Sequence, residues 1–138
     1  MTTNIVQEWL KAASRTAAAR DFEAHMNLIS RKVSLTGIPG FAEIGYEDWA
    51  AQCKHEFENQ LIQGIRYSGL NLVAETPERI MFRTFETVEG SGGEINENGL
   101  EMLLEKEADG VWRLIQERVL PPEESAHYGL SSDSGVLS

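Results

Sequence analysis

The sequence has a single cysteine and no long apolar run. Cys53 stands alone among the 138 residues, so the chain can form no internal disulfide and has no cysteine cluster for zinc. No window approaches the roughly 18 apolar residues of a membrane span. The segment MTTNIVQEWLKAASR lacks the basic and apolar regions of a signal peptide. The sequence therefore predicts a soluble, cytoplasmic protein.

Positive charge is also scarce. The chain has 12 Lys and Arg residues against 22 Asp and Glu residues, and its formal net charge is −10. Such a charge repels phosphate backbones and anionic membrane surfaces. We therefore expect neither nucleic acid nor a membrane as a partner.

Signatures of several large enzyme classes are missing. There is no glycine loop followed by Lys-Ser or Lys-Thr, no G-x-S-x-G turn and no H-E-x-x-H helix. Cys53 and His55 are two residues apart, which on a helix directs their side chains about 200° apart, so they do not form a thiol–imidazole pair. We expect no cofactor and no metal ion, and the sequence leaves open whether the protein is an enzyme.

What is present predicts three helices followed by a sheet. A length of 138 residues with 41% hydrophobic residues is typical of one domain. Apolar residues recur at three-to-four-residue spacing in three segments, and a short strand is expected between the second and third. The predicted helices cover residues 3 to 20, 21 to 29 and 46 to an end between 60 and 64, and the short strand covers 32 to 36.

Beyond the third helix the apolar period changes to that of strands. Turn residues separate four segments, and Asp109-Gly110 is the strongest hairpin signal. Consecutive strands with short links usually pair with their neighbours. The segments therefore predict an α+β fold, in which three N-terminal helices pack on a curved, mostly antiparallel sheet and form a cone with a cavity. The predicted strands are 65 to 74, 78 to 88, 100 to 108 and 111 to 119.

The C-terminal segment differs in composition. Residues 121 to 138 begin with two prolines and are rich in Ser and Gly, which favours a flexible tail or an arm that packs on a partner. We therefore predict one domain over residues 1 to 120, followed by this tail.

Three local sequences resemble a known superfamily. They are RDFEAHMNLIS in the second helix, GYEDWAAQCKHEF in the third and the terminal DGVWRLIQERV. Together with the order of elements, they resemble the nuclear transport factor 2-like superfamily, and within it the SnoaL-like group, over residues 3 to 120. The resemblance implies a cone with a cavity at its open end and a homodimer formed through the outer face of the sheet. Members include isomerases, cyclases, dehydratases, epoxide hydrolases and non-catalytic modules, so the fold does not select a reaction.

Candidate catalytic residues are His25 and Glu117. His25 lies at the edge of the second helix's apolar stripe, where an imidazole can serve as acid or base near neutral pH. Both faces of the last strand mix apolar and charged residues, which suits a strand with one face on a cavity. Arg83 is within reach of Glu117 if both point inward, either as an anion-recognising or acid/base pair or as a structural salt bridge.

Several large side chains are candidates for contact with a flat apolar ligand. They are equally what a hydrophobic core contains. The interiors of the strands offer no aspartate as a base, only Glu117 and Glu86. The candidate ligand-binding residues are Tyr46, Trp49, Tyr67, Met81, Arg83, Phe85 and Met102.

Two functions follow as hypotheses. The first is a small-molecule pocket protein of the SnoaL-like type, which binds a small hydrophobic compound with a polar tip or acts on it as an isomerase or lyase. The alternative is a non-catalytic association module that binds a protein through the sheet face and the tail.

Overall fold

The structure is a computed structural model, and it describes residues 2 to 133. Two helices precede the first strand and a third follows it, four more strands come next, and a short helix ends the described chain. The elements are α1 (Thr2–Ala19), α2 (Phe22–Met26), β1 (Ile29–Thr36), α3 (Tyr46–Glu58), β2 (Ile62–Thr76), β3 (Arg79–Gly90), β4 (Ile95–Lys106), β5 (Trp112–Val119) and α4 (Pro122–His127).

The helices form where apolar periodicity and capping residues predict them. In α1 the buried residues include Val6, Leu10, Ala13 and Ala17, which recur at three-to-four-residue spacing and form one face. Asp21 caps α2 by accepting a hydrogen bond from the backbone N–H of Ala24 at 3.2 Å. These helices place their apolar faces over the sheet.

The second helix is shorter than predicted. It ends at Met26, whereas the apolar pattern predicted an end near Ile29. Ile29 is instead the first residue of β1 and lies opposite Leu114 of β5. The backbone carbonyl of Leu28 already accepts a hydrogen bond from the N–H of Leu114 at 2.9 Å. Pairing with a distant strand therefore overrides the local helical pattern.

The five strands form one mixed sheet in the order β1-β5-β4-β3-β2. Neighbours in β2 to β5 pair antiparallel, and only β1 runs parallel to β5. Register shifts interrupt the β2–β3 and β4–β5 pairs, and such bulges bend and twist strands. The predicted α+β fold with a curved, mostly antiparallel sheet is confirmed.

The hydrophobic core lies between the helices and the inner face of the sheet. Phe82, Leu100, Leu104 and Leu114 of the sheet are fully buried against residues such as Leu10 of α1. Burying one side chain of this kind contributes about 1.5 to 3 kcal/mol to stability. The core therefore fixes which face of each strand points inward.

The predicted tail is in part a packed segment of the same chain. Ser125 of α4 and Leu130 are buried. Arg118 of β5 donates to Glu124 at 2.6 Å across this contact. A Cβ atom at Gly99 of β4 would overlap the Ser125 hydroxyl, so glycine lets α4 lie close to the strand. Residues 121 to 133 thus cover the outer face of their own sheet, and the remaining tail residues, 134 to 138, lie outside the described residues.

No helix within residues 2 to 133 is long and apolar enough to cross a bilayer.

Candidate functional site

A cavity of about 730 Å³ lies between the helices and the inner face of the sheet. Phe41 of the loop between β1 and α3 lies at its mouth and is 62% exposed. Aromatic and aliphatic side chains make up most of its wall. They include Trp9, Leu28, Ile29, Leu35, Ile44, Trp49, Phe57, Ile62, Ile65 and Val88.

Two carboxyl groups of the sheet line this apolar cavity, Glu86 of β3 and Glu117 of β5. Glu86 lies directly opposite Tyr67 of β2 in the antiparallel register, and their side chains are hydrogen-bonded. Glu117 is only 8% exposed. Within residues 2 to 133 its carboxyl group has no hydrogen-bond partner, although it borders the cavity. The sheet therefore presents two carboxyl groups to the same cavity. One is hydrogen-bonded to a tyrosine, and the other has no hydrogen-bond partner in the described residues.

The surroundings raise the pKa of both carboxyl groups. Burial raises the pKa of Glu117 well above its usual range, and the nearby charge of Glu86 adds to this effect. Burial also raises the pKa of Glu86 to about 7, although the hydrogen bond from Tyr67 opposes the rise. Glu86 therefore titrates near neutral pH, and Glu117 holds its proton to a higher pH than an exposed glutamate does. Such a pair offers an acid and a base side by side.

Burial likewise raises the pKa of the Tyr67 hydroxyl, and the charges of Glu86 and Glu117 raise it further. The hydroxyl group is therefore a neutral hydrogen-bond donor at physiological pH.

His25 of α2 is another polar residue of the wall. Its Nδ1 atom is hydrogen-bonded to the Thr16 hydroxyl at 2.7 Å, and its ring centroid lies 5.4 Å from that of Phe57. Burial lowers the pKa of His25 to about 4, so the imidazole is neutral near pH 7. His25 therefore contributes no positive charge to the cavity.

Four of the predicted site residues meet in this cavity. They are His25, Trp49, Tyr67 and Glu117. Their proposed roles in binding or catalysis stay predictions, but the structure does bring these four side chains to one place.

The predicted pair of Arg83 and Glu117 is wrong. Arg83 donates to Glu101 of β4 at 2.8 Å, and its guanidinium lies 3.7 Å from the ring centroid of Tyr128. Met81 and Phe85 lie two residues before and after Arg83, so they point to the same side of the strand, the outer face of the sheet. The alternate residues of the strand, Ile80, Phe82 and Thr84, point to the core. Alternation defined the two sets but did not show which one points inward.

Two other predicted ligand contacts lie elsewhere. Met102 faces the inside of the sheet but is 1% exposed and packed within the core, away from the cavity wall. Tyr46 lies outside the cavity with the guanidinium of Arg31 4.7 Å from its ring centroid. The predictions that Met81, Arg83, Phe85, Met102 and Tyr46 line the cavity are therefore wrong.

A bulge in β5 explains how Glu117 enters the cavity. Leu104 pairs with Leu114 while Leu103 pairs with Gln116, so Ile115 is an extra residue in this strand. The extra residue places Leu114 and Glu117 on the same side of the sheet, although their separation of three predicts opposite sides. Arg113 points away and binds Asn27 and Glu107.

Sequence reasoning gave too little weight to Glu86 and did not identify Glu56 or Asp48. Glu86 has the same parity as Phe82 and Thr84, which is the only signal that it faces inward. Glu56 and Asp48 project from α3 at the cavity wall. In the described part of the chain, no group of three or more His, Cys, Asp or Glu side chains has an arrangement that would hold a metal ion.

Comparison with known proteins identifies the fold. A protein with an NTF-2-like fold and unknown function from Shewanella oneidensis has a TM-score of 0.71 and 15% identity, over 86% of this chain and 98% of that one. An NTF2-like protein with a cystatin-like fold from Novosphingobium aromaticivorans has a TM-score of 0.68 and 16% identity, over 91% and 84%. ActVI-ORFA from Streptomyces coelicolor has a TM-score of 0.65 and 13% identity, over 88% and 98%.

No protein-family model and no curated protein matches the sequence. The structural likeness at low identity shows that the chain has the nuclear transport factor 2-like, cystatin-like fold, as the resemblance predicted.

Proposed function

We propose that this nuclear transport factor 2-like fold binds a small, mainly apolar compound with a polar end, and that Glu86 and Glu117 transfer a proton to and from it, as in an isomerase or lyase of the SnoaL-like type. The observation that carries the proposal is the carboxyl group of Glu117. It is buried, borders an apolar cavity and has no hydrogen-bond partner within residues 2 to 133.

The size and polarity of the cavity support binding of a small molecule. A volume of about 730 Å³ lies within the usual range for ligand sites of about 300 to 1,000 Å³. Aromatic walls with a few convergent polar groups are typical of such sites. The alternative function, an association module, depended on the sheet face and the tail being available to a partner, but residues 121 to 133 pack on that face of their own sheet. The pocket function is therefore better supported.

The two carboxyl groups suit opposite roles in proton transfer. The Glu86 carboxylate, held by the Tyr67 hydroxyl, removes a proton from a carbon next to a polar group of the ligand. The protonated Glu117 carboxyl donates a hydrogen bond to that polar group and stabilises the charge that develops there. Return of the proton to a different carbon completes an isomerisation.

Exchange of carbon-bound hydrogen tests this chemistry. The probe is β-tetralone, a flat apolar ketone, and deuterium uptake next to its carbonyl in D₂O is followed by NMR. General acid–base catalysis is worth about 100-fold or more, so we expect at least that acceleration over buffer. Glu86→Gln should reduce the exchange rate to that of buffer. The matched control, Glu78→Gln in the exposed turn between β2 and β3, should exchange like the unaltered protein.

Two results would contradict the proposal. One is an exchange rate in the presence of the protein equal to that of buffer. The other is a Glu86→Gln variant, shown to be folded by circular dichroism, that exchanges as fast as the unaltered protein.

A further inference from the structure

Every charged side chain that lines the cavity in the described chain is acidic. Asp48 and Glu56 belong to α3, where Asp48 is exposed, and Glu86 and Glu117 belong to the sheet. Neither lysine nor arginine occurs among the lining residues within the range 2 to 133. His25 is neutral near pH 7 because burial lowers its pKa to about 4. The cavity therefore has no cation to balance its carboxyl groups.

The unpartnered carboxyl group of Glu117 specifies what a ligand has to provide. This carboxyl group borders the cavity, so a ligand can contact it directly. A positive charge on the ligand is attracted to a wall whose charged side chains are all acidic, whereas a carboxylate or phosphate is repelled by them.

The aromatic wall favours the same kind of ligand. The rings of Trp9, Phe41, Trp49 and Phe57 line the cavity together with the carboxyl groups. The faces of aromatic rings carry partial negative charge and attract organic cations. The net charge of −10 on the whole chain also attracts cations and repels anions at longer range.

We infer that the ligand of this cavity carries a positive charge at its polar end, as an apolar amine or iminium compound does, and carries no carboxylate or phosphate group. This inference rests on the proposed function, because it names the class of compound for the same cavity. The cation lies against Glu117 and Glu86, and the apolar part of the ligand lies against the aromatic rings.

Binding of a cation is expected to release a proton. The other titratable side chains that line the cavity are those of Tyr67 on β2, of His25 on α2, and of Asp48, Cys53 and Glu56 on α3. A bound cation favours the ionised form of the carboxyl groups, so its affinity rises with pH wherever the free protein holds the proton. The pKa of Glu86 is about 7. We therefore expect the affinity for a cation to rise about fivefold between pH 6 and pH 7.

Three compounds with the same ring system test the inference by isothermal titration calorimetry. They are naphthylmethylamine, naphthylmethanol and naphthoate, which are cationic, neutral and anionic near pH 7. We expect the amine to bind at least tenfold more tightly than the alcohol, and naphthoate to bind most weakly. In Glu117→Gln, the affinity for the amine should fall at least tenfold more than the affinity for the alcohol does. The control Glu58→Gln, on the exposed side of α3, should change neither affinity.

The ranking of the three compounds separates the two possible failures. If the alcohol or naphthoate binds as tightly as the amine, the charge inference is overturned and the proposed pocket function stands. If none of the three binds, the inference and the proposed function are both overturned. The ranking is measured on the unaltered protein, so it does not depend on whether a variant folds.

Discussion

Replacing Glu86 with Gln should change how stability depends on pH. The pKa of Glu86 is raised from its ordinary value of 4.5 to about 7 because the side chain is buried. Between these two pH values the unfolded chain has lost the proton that the folded protein keeps. The folded state binds more protons there, so the free energy of unfolding falls as pH rises and levels off above pH 7.

The size of the effect follows from the same pKa. Each tenfold change in an ionisation constant corresponds to about 1.4 kcal/mol. Ionisation of Glu86 therefore lowers the free energy of unfolding by about 3 kcal/mol between pH 4.5 and pH 7. Glu117 acts in the same direction because its pKa is also raised.

His25 opposes this trend in the unaltered protein. Burial lowers its pKa from 6.5 to about 4, so between these values the unfolded chain binds the additional proton. Its contribution to stability therefore rises with pH over nearly the same range. The two effects partly cancel. The difference between the unaltered protein and the variant removes the contribution of His25 and leaves that of Glu86, together with the effect of its charge on Glu117.

Urea denaturation followed by tryptophan fluorescence measures this difference. The free energy of unfolding of Glu86→Gln, minus that of the unaltered protein, should increase by about 3 kcal/mol from pH 4.5 to pH 7. The control Glu78→Gln should give a constant difference, since Glu78 lies in an exposed turn. Parallel curves for Glu86→Gln and the unaltered protein would refute the reasoning.

Two further predictions concern residues outside the proton-transfer pair. Arg83→Ala removes the contacts with Glu101 and Tyr128 on the outer face of the sheet. Urea denaturation should therefore show a free energy of unfolding that is lower by about 1 to 2 kcal/mol. A loss of naphthylmethanol affinity in this variant would contradict the placement of Arg83 outside the cavity. Burial raises the pKa of the Cys53 thiol to about 12, so its reaction with a disulfide reagent at pH 8 should be at least about 100-fold slower in the folded protein than in urea; equal rates would contradict its burial.

Local sequence signals predicted most of the secondary structure. Each of these signals depends only on residues that are close together in the chain. Examples are the apolar spacing in α1, the capping residue Asp21 and the turn at Asp109-Gly110. The end of α2 was predicted less well, because Ile29 pairs with a strand more than eighty residues away. Long-range pairing of this kind leaves no local signal.

The composition of the site was harder to predict than the fold. Side chains along a strand alternate between its two faces, which put Arg83 and Glu86 of β3 on opposite faces. This alternation did not show which of the two faces the core. In β5 the extra residue Ile115 changes the side on which Glu117 lies, and a bulge in a strand has no fixed sequence signature here. His25 and Trp49 were found because an apolar helix face points inward wherever the helix packs on a sheet.

The protonation of the two carboxyl groups is the central claim, and carbon-13 NMR of the glutamate side chains measures it most directly. A pH titration, with Glu86→Gln and Glu117→Gln used to assign the signals, should give a midpoint of about 7 for Glu86 and a midpoint well above 4.5 for Glu117. Midpoints near 4.5 for both groups would show that the cavity does not hold a proton at neutral pH. That result would contradict the proposed acid–base pair.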